Sequence, residues 1–536
     1  MSLRFNQLLL LALLLLGGFL RSNQFGFQVL LDDEWHAVHQ ILSGKSAGEL
    51  FLTLGLADYS VPLGLFYGWI AQHWGLSEFI MRLPMLLASL LTLVLFSAYV
   101  WRHFTAPLAL MFSLLLALSP LLVVYAHTAR PYALTLLLSF VSLYSFYQYW
   151  HRRTSLLRSG AAYVVCAGLC LWLHLITGPV LVAPFVLEGV RCLWQRNMAG
   201  LQRLLLLGVP AAAVMAILVL PPLIADGQAL ARKSGLAELG LETAQGVWYI
   251  WFGSGSSLLV FTLAALAALG LTSMLRRNPL LQSACLGVIL TLALVLVSQP
   301  QWVQHPLTMG RYLLPAIPLL LLASSCGAAR VVGWFATRRV PGVLATLSLG
   351  AVAVVYVMTS PSWGLITRPN SQITHSMLQF DFRAGHNKVL DYQQQHLTVS
   401  AFWPRLSSFP ADSLRIAVAP FYFESYNWDA PRWERSSGQR VFPAFLTGYC
   451  VKKRVGEVPQ DTHYGFTNVF YLNQLTDRAV PGPDWLVYNR PFPGHSNGRD
   501  GQRLGANVQH CLTKLRKQLG APDYQDELLL AWRLTR

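Results

Sequence analysis

At 536 residues, with 54% hydrophobic side chains, only 12% charged ones and a mean hydropathy of +0.45, this chain is too apolar for a soluble globular protein. Its formal charge of +16 (Lys+Arg 40, Asp+Glu 24) does not call for nucleic acid, because basic residues gathered on one side of a bilayer give the same excess. The composition predicts an all-α polytopic membrane part of about eleven transmembrane helices, followed by a soluble α/β domain.

The first apolar segment, 5–21, follows Arg4 as a signal peptide would, but no small-residue cleavage site comes after it, so it reads as an uncleaved anchor. The next apolar stretches are 83–101, 107–126, 131–149, 159–174, 176–194, 203–222, 257–275, 280–298, 309–329 and 342–360. An odd number of spans places the termini on opposite sides. With the N-terminus in the cytoplasm, the inner connections hold Arg102, Arg152, Arg153, Arg158, Arg191, Arg196, Arg203, Arg276, Arg277, Arg330, Arg338 and Arg339. The outer loops then hold only Lys45, Arg82, Arg130, Arg232, Lys233 and Arg311. This asymmetry follows the positive-inside rule and predicts a cytoplasmic N-terminus and a periplasmic C-terminal domain.

Residues 61–75 are apolar but short, aromatic and broken by Gly, and as a span they would put the Arg-rich loops outside. They are expected as a helix along the outer interface, where Trp and Tyr are favoured. The outer loop 22–82 then carries an amphipathic helix near 33–42, ended by Ser43-Gly44, and this juxtamembrane helix. Residues 1–360 form the transmembrane domain; after Ser360-Pro361 the long apolar runs stop, and 361–536 read as one α/β domain. Within it, 414–419 and 484–489 read as strands, and 508–519 and 523–534 as helices. Cys166, Cys170, Cys192, Cys285 and Cys326 lie in or beside apolar segments, whereas Cys450 and Cys511 lie in the polar region and are placed to pair if it is extracytoplasmic.

Asp32-Asp33-Glu34 is the sharpest chemical signal: three carboxylates just beyond the first span of an acid-poor chain. A carboxylate at the water–lipid boundary can take a proton from a hydroxyl while the substrate's tail stays in the bilayer. The same acids serve equally well as a helix cap and first turn. On the same side fall His127-Thr-Ala-Arg130-Pro-Tyr132, Asp226 with Arg232-Lys233, and His305 with Arg311-Tyr312. Arg130 and Arg311 read either as interfacial anchors or as fixed cations for a lipid-linked phosphate. His127 alone is more often an ordinary hydrogen-bonding residue. The aromatic stretch from Phe421 to Asp429 suits sugar stacking, and suits core packing better. No HExxH, paired CxxC, P-loop or Rossmann glycine pattern occurs, so no metal site is assigned and no nucleotide site is visible.

Five pieces of the chain, in order, resemble one family: Asp33-Glu34; Val61-Pro62-Leu63; Gly75-Leu-Ser-Glu-Phe-Ile-Met-Arg82-Leu-Pro84; Ala129-Arg130-Pro131-Tyr132-Ala-Leu134; and Arg311-Tyr312-Leu-Leu-Pro315. They are similar to the GT-C membrane glycosyltransferases related to protein O-mannosyltransferases, lipid A aminoarabinose transferases and core-oligosaccharide galacturonosyltransferases, over roughly residues 5–360. The resemblance implies a GT-C-like fold in the bacterial inner membrane. It implies inverting transfer of a sugar from a polyprenyl-phosphate donor to an envelope lipid, glycan or protein at the periplasmic face. Asp33 is then the general base and Glu34 positions the acceptor or holds the loop. Arg130, with Arg82 and Arg311, stabilises the donor phosphate, and Asp32, Tyr132, Tyr312, His127 and Asp226 are further candidates.

Two departures stand out. Thr128 occupies a position where many relatives carry an acid, so a second carboxylate role is either missing or supplied elsewhere, with Asp226 and Asp58 as the candidates. Ser60-Val61-Pro62 stands where many relatives have His or Lys before two prolines. A divalent cation is compatible with the resemblance, but no residue is assigned to one. The competing classes are a transporter or flippase, which would carry ionisable groups near the midplane of several spans, and a non-catalytic glycan-binding scaffold.

Overall fold

The computed structural model describes residues 3–23, 25, 34, 45–54, 60–232, 234–235, 237, 239–276, 278–337, 342–360, 362, 399–420, 430–446, 448–450, 470–477, 482–490 and 498–534. Asp32, Asp33, Asp58, Lys233, the helix expected near 33–42 apart from Glu34, and the stretch 421–429 lie outside them. Among the described residues, eight helices are long and apolar enough to cross a membrane: Arg4–Ser22, Glu78–His103, Leu156–Leu173, Leu175–Trp194, Met198–Ala231, Ser257–Leu275, Pro279–Ser298 and Ala316–Phe335. The three other expected spans are helical too, as Ala106–Ala117, Tyr132–Trp150 and Gly342–Thr359.

Two of those three are less apolar or shorter for identifiable reasons. The expected span 107–126 breaks at Leu118-Ser119, because the residue before Pro120 is held extended, and the chain restarts as the short helix Pro120–Val124. Tyr132–Trp150 buries a polar stripe of Thr135, Ser139, Ser142 and Ser145 against its neighbours. The stretch 61–75 folds as the helix Val61–His73, whose 13 residues rise only about 20 Å and cannot cross a ~30 Å core. Trp69 and Trp74 near its end are exposed.

The break in the third span is satisfied by a cation. Arg21, at the end of the first helix, is buried and donates to Leu116 O (3.1 Å) and Ala117 O (3.0 Å), carbonyls of the last turn where the helix stops. It also donates to Gly17 O (2.9 Å) and Ser89 Oγ (3.0 Å). Helices Ser257–Leu275 and Ala316–Thr337 approach closely because both contact positions are glycine. A Cβ on Gly270 would lie 1.9 Å from Ala323 O, and one on Gly327 1.9 Å from Leu266 O. Met198–Ala231 runs 34 residues, about 51 Å, beyond the expected 203–222, and kinks at Asp226 (φ −137°, ψ 23°).

The C-terminal part is a six-stranded sheet, order β3-β2-β1-β4-β6-β5, with β1 (Arg415–Ala419), β2 (Arg440–Phe445), β3 (Phe470–Tyr471), β4 (Trp485–Asn489), β5 (Tyr524–Gln525) and β6 (Leu529–Arg533). The first four are parallel neighbours, and β5 and β6 join antiparallel. Strands expected at 414–419 and 484–489 are β1 and β4, and the helix expected at 508–519 is part of Gly498–Leu519. The helix expected at 523–534 is instead β5 and β6. Leu529 to Trp532 are buried on both faces, a pattern whose short apolar run fits helix or strand equally until the pairing with β4 decides it. Cys450 and Cys511 form a disulfide that ties Gly498–Leu519 to the turn after β2. One apolar core runs through both parts, since Phe402, Trp403, Ile416 and Val418 pack in the same cluster as Tyr67, Met81 and Leu122.

Candidate functional site

Arg82 lies in the second turn of Glu78–His103, a helix capped by Ser77, whose Oγ accepts from Ile80 N (3.3 Å). Its guanidinium meets Glu34 in a forked pair, Nε to Oε1 at 2.8 Å and Nη2 to Oε2 at 2.7 Å. Both side chains are at most 2% exposed, so this is a fully desolvated charge pair. Glu34 Oε1 also accepts the backbone N–H of Ala129 at 2.8 Å. One carboxylate thus joins the first outer loop, the second membrane helix and the turn that carries Arg130.

That turn follows Pro120–Val124. Thr128 gives its hydroxyl to Val124 O (2.8 Å), Arg130 N donates to Thr128 O (2.7 Å), and Pro131 caps the helix that starts at Tyr132. The hydroxyl of Thr128 therefore closes the turn, and no carboxylate stands at that position. Arg311 arrives from another element. It was expected to open the span 309–329; it ends the short helix Pro306–Tyr312 instead, and the membrane helix begins at Ala316 after Leu313-Leu314-Pro315. The turn at Pro315 separates the two because a proline lacks the N–H that a continuous helix needs there.

Arg311 sits over two rings, its guanidinium carbon 5.4 Å from the Tyr132 centroid and 5.7 Å from that of Tyr312. His174, in the tight connection between Leu173 and Leu175, closes the group, 5.3 Å from Tyr132 and 5.8 Å from Tyr312 between centroids. Tyr125 packs on Tyr132 at 4.7 Å. Burial, followed by the charges of Arg130 and Arg311, lowers the His174 pKa to about 3. Its Nδ1 accepts from Ile176 N (3.4 Å), which leaves the ring proton on Nε2. Two guanidiniums, two tyrosine rings and a neutral imidazole make a junction suited to an anion, with planar groups beside it.

The expected residues thus divide. Glu34, Arg82 and the Ala129–Arg130 turn come together, as do Arg130, Arg311, Tyr132 and Tyr312. Asp226 instead accepts from Leu54 N (3.1 Å) and so anchors the first outer loop to Met198–Ala231. His127 hydrogen-bonds Leu20 O (3.3 Å) and packs on Phe25; burial lowers its pKa to about 4, so it is a neutral link at the end of the first helix. Asp32 and Asp33 lie outside the described residues. Among the described residues, no group of three His, Cys, Asp or Glu side chains is placed to hold a metal ion. His174 and Arg21 were not singled out from sequence. The signal for Arg21 was a lone cation ending the apolar run 5–21 in a chain with a Ser-Pro break, whereas His174 carried none beyond being a His at the end of the apolar stretch 159–174.

These helices, the appended sheet and the cationic junction define a multi-pass membrane protein with a buried anion-compatible site at one end of its bundle. No family model matches the chain and no curated protein matches it. Among solved structures it is similar to ArnT from Cupriavidus metallidurans in the apo state, at 14% identity over 98% of this chain and 97% of that one, with a TM-score of 0.43. It is likewise similar to ArnT from the same organism bound to undecaprenyl phosphate, at 14% identity over 99% and 98% of the two chains, with a TM-score of 0.47.

Proposed function

We propose that this chain is an inverting glycosyltransferase of the bacterial inner membrane, moving a sugar from a polyprenyl-phosphate donor to an envelope acceptor at the periplasmic face. One observation carries the reading: the 2.8 Å bond from Ala129 N to Glu34. Glu34 follows Asp33 and Ala129 precedes Arg130, so the acid run and the arginine turn meet through a single buried carboxylate. In this reading Asp33 takes the proton of the acceptor hydroxyl as its oxygen bonds to the anomeric carbon. The bond from that carbon to the phosphate oxygen breaks on the opposite face of the ring, and its electron pair leaves with the polyprenyl phosphate. Arg130 and Arg311 meet the charge that grows there, in a site whose burial strengthens their effect.

Arg82, also expected at the phosphate, is proposed to hold Glu34 and through it the loop, because its Nε and Nη2 already serve that carboxylate. The basic residues at the opposite helix ends, among them Arg102, Arg152, Arg191 and Arg276, support a cytoplasmic N-terminus. Mass spectrometry of envelope glycans from a strain lacking the protein tests the reading. A sugar missing from one envelope component, restored by the wild-type chain, is the expected result; an unchanged envelope with polyprenyl-phosphate sugar present contradicts it.

A further inference from the structure

Between the start of helix Glu78–His103 and the C-terminal sheet lies a second polar site. It is a cavity of about 230 Å³ lined by Glu78, Asp412, Arg415, Glu434, Arg440 and Phe442, among others. That exceeds the ~10–15 Å³ one water needs and falls below the ~300–1,000 Å³ of drug-sized pockets. Glu434 comes from the helix Ala430–Ser437, which ends at Gly438 (φ 66°) so that the chain can turn directly into β2. Its Oε1 accepts from Val441 N (3.1 Å), while its buried Oε2 meets no donor among the described residues. A buried carboxyl oxygen in that state calls for a hydrogen-bonding partner from the cavity it faces, a water or a ligand group. Burial also pushes the Glu434 carboxyl well above its ordinary range.

The rest of the lining offers both kinds of partner. Arg440 pairs with Asp412 at 2.8 Å on the half-exposed rim, open to solvent, and Arg415 lies 5.1 Å over the ring of Phe442. An ammonium would use the carboxylates and repel the two guanidiniums; a phosphate would do the reverse. A hydroxyl both donates and accepts, so several hydroxyls on one ring serve the whole set, with the aromatic side chain against an apolar ring face. Arg82 lies near both sites, since the charges of Glu34, Glu78 and Glu434 all act on it.

We propose that this cavity is a binding subsite for a single hydroxylated sugar ring, with Glu434 and Glu78 accepting from its hydroxyls and Arg415 and Arg440 donating to them. The assignment of that ring to the acceptor rests on the transferase reading; the binding itself does not. The test uses the full chain in lipid nanodiscs without donor lipid, and saturation-transfer NMR with the methyl glycosides of glucose, galactose and mannose. Saturable binding of at least one glycoside is expected, weakened about tenfold or more in Glu434→Leu, as for a site built around hydroxyl hydrogen bonds. The rim variant Asp412→Asn/Arg440→Gln changes two half-exposed side chains and so keeps the fold; it is expected to weaken the same glycoside severalfold. No saturable glycoside signal, a signal unchanged in both variants, or preferential binding of ethanolamine or inorganic phosphate overturns the proposal. Intact glycoside binding with an unchanged envelope in the deletion strain would remove the transferase reading and leave this one standing.

Discussion

Arg82→Met is the most informative single perturbation of the candidate site. It removes two charge-assisted hydrogen bonds, 2.8 and 2.7 Å long, and leaves the Glu34 carboxylate buried without its guanidinium, while the bond from Ala129 N (2.8 Å) stays. Breaking one side of a buried ion pair costs roughly 3–5 kcal/mol, because the other charge stays desolvated. Glu34→Gln keeps the shape and an acceptor for Ala129 N but turns an amide NH2 towards the guanidinium, so a loss of about 3 kcal/mol is expected. Glu34→Leu/Arg82→Met removes both charges and should be clearly less destabilised than the sum of its single variants. Apparent melting temperatures of detergent-purified protein at one fixed scan rate measure all of these, since unfolding of such a protein is treated as a rate. Single variants within about 0.5 kcal/mol of wild type, or strictly additive effects, would refute the claim that this pair fixes the loop.

Further outcomes follow from other contacts. Arg311→Met should lower transfer about 10²–10³-fold, as losing one donor of a preorganised anion site does, with Arg311→Lys recovering part of it and the melting temperature unchanged. Gly327→Leu should prevent accumulation of folded protein, because a Cβ there would lie 1.9 Å from Leu266 O; immunoblots of membrane fractions report it, and wild-type levels would contradict the packing account. Burial, with Arg130 and Arg311 adding to it, holds His174 at about pKa 3 when folded, below the ordinary ~6.5 it regains on unfolding. Its contribution is therefore intact above pH ~6.5 and lost by up to ~1.4 kcal/mol per unit as pH falls towards about 3, so His174→Phe should lose less stability on acidification than wild type. Removing the Cys450–Cys511 link, which closes 61 residues, should cost about 4 kcal/mol on chain-entropy grounds, read as a lowered melting temperature under reductant.

Much of the architecture was legible because bilayer spans leave a strong hydropathy signal and interfacial helices a weaker aromatic one. Val61–His73 was readable from its length, its Gly breaks and the charge balance it would upset. The break at Ser119-Pro120 was not, since a proline inside an apolar run is compatible with a kinked span, and the end is tolerated because Arg21 reaches Leu116 and Ala117 while the Ser360 and Ser362 hydroxyls reach Leu118 O. In the C-terminal sheet, β1 and β4 carried β-branched or aromatic residues between turn signals, whereas the Leu-rich run of β6 had no period to distinguish it from a helix. Glu34, Arg82 and Arg130 were found as separate motifs, but their union through the Ala129 peptide is a backbone contact that side-chain identities do not encode. Glu434 was invisible for a similar reason: one acid in a polar domain becomes notable only when the fold buries it opposite Glu78.

Turnover by Asp33→Asn, with polyprenyl-phosphate sugar supplied and Glu34 left in place, tests the account most directly. A protein that folds and still binds polyprenyl phosphate, yet transfers about 10²-fold or more slowly, is the expected outcome for loss of a general base. Transfer at the wild-type rate by that variant would contradict it.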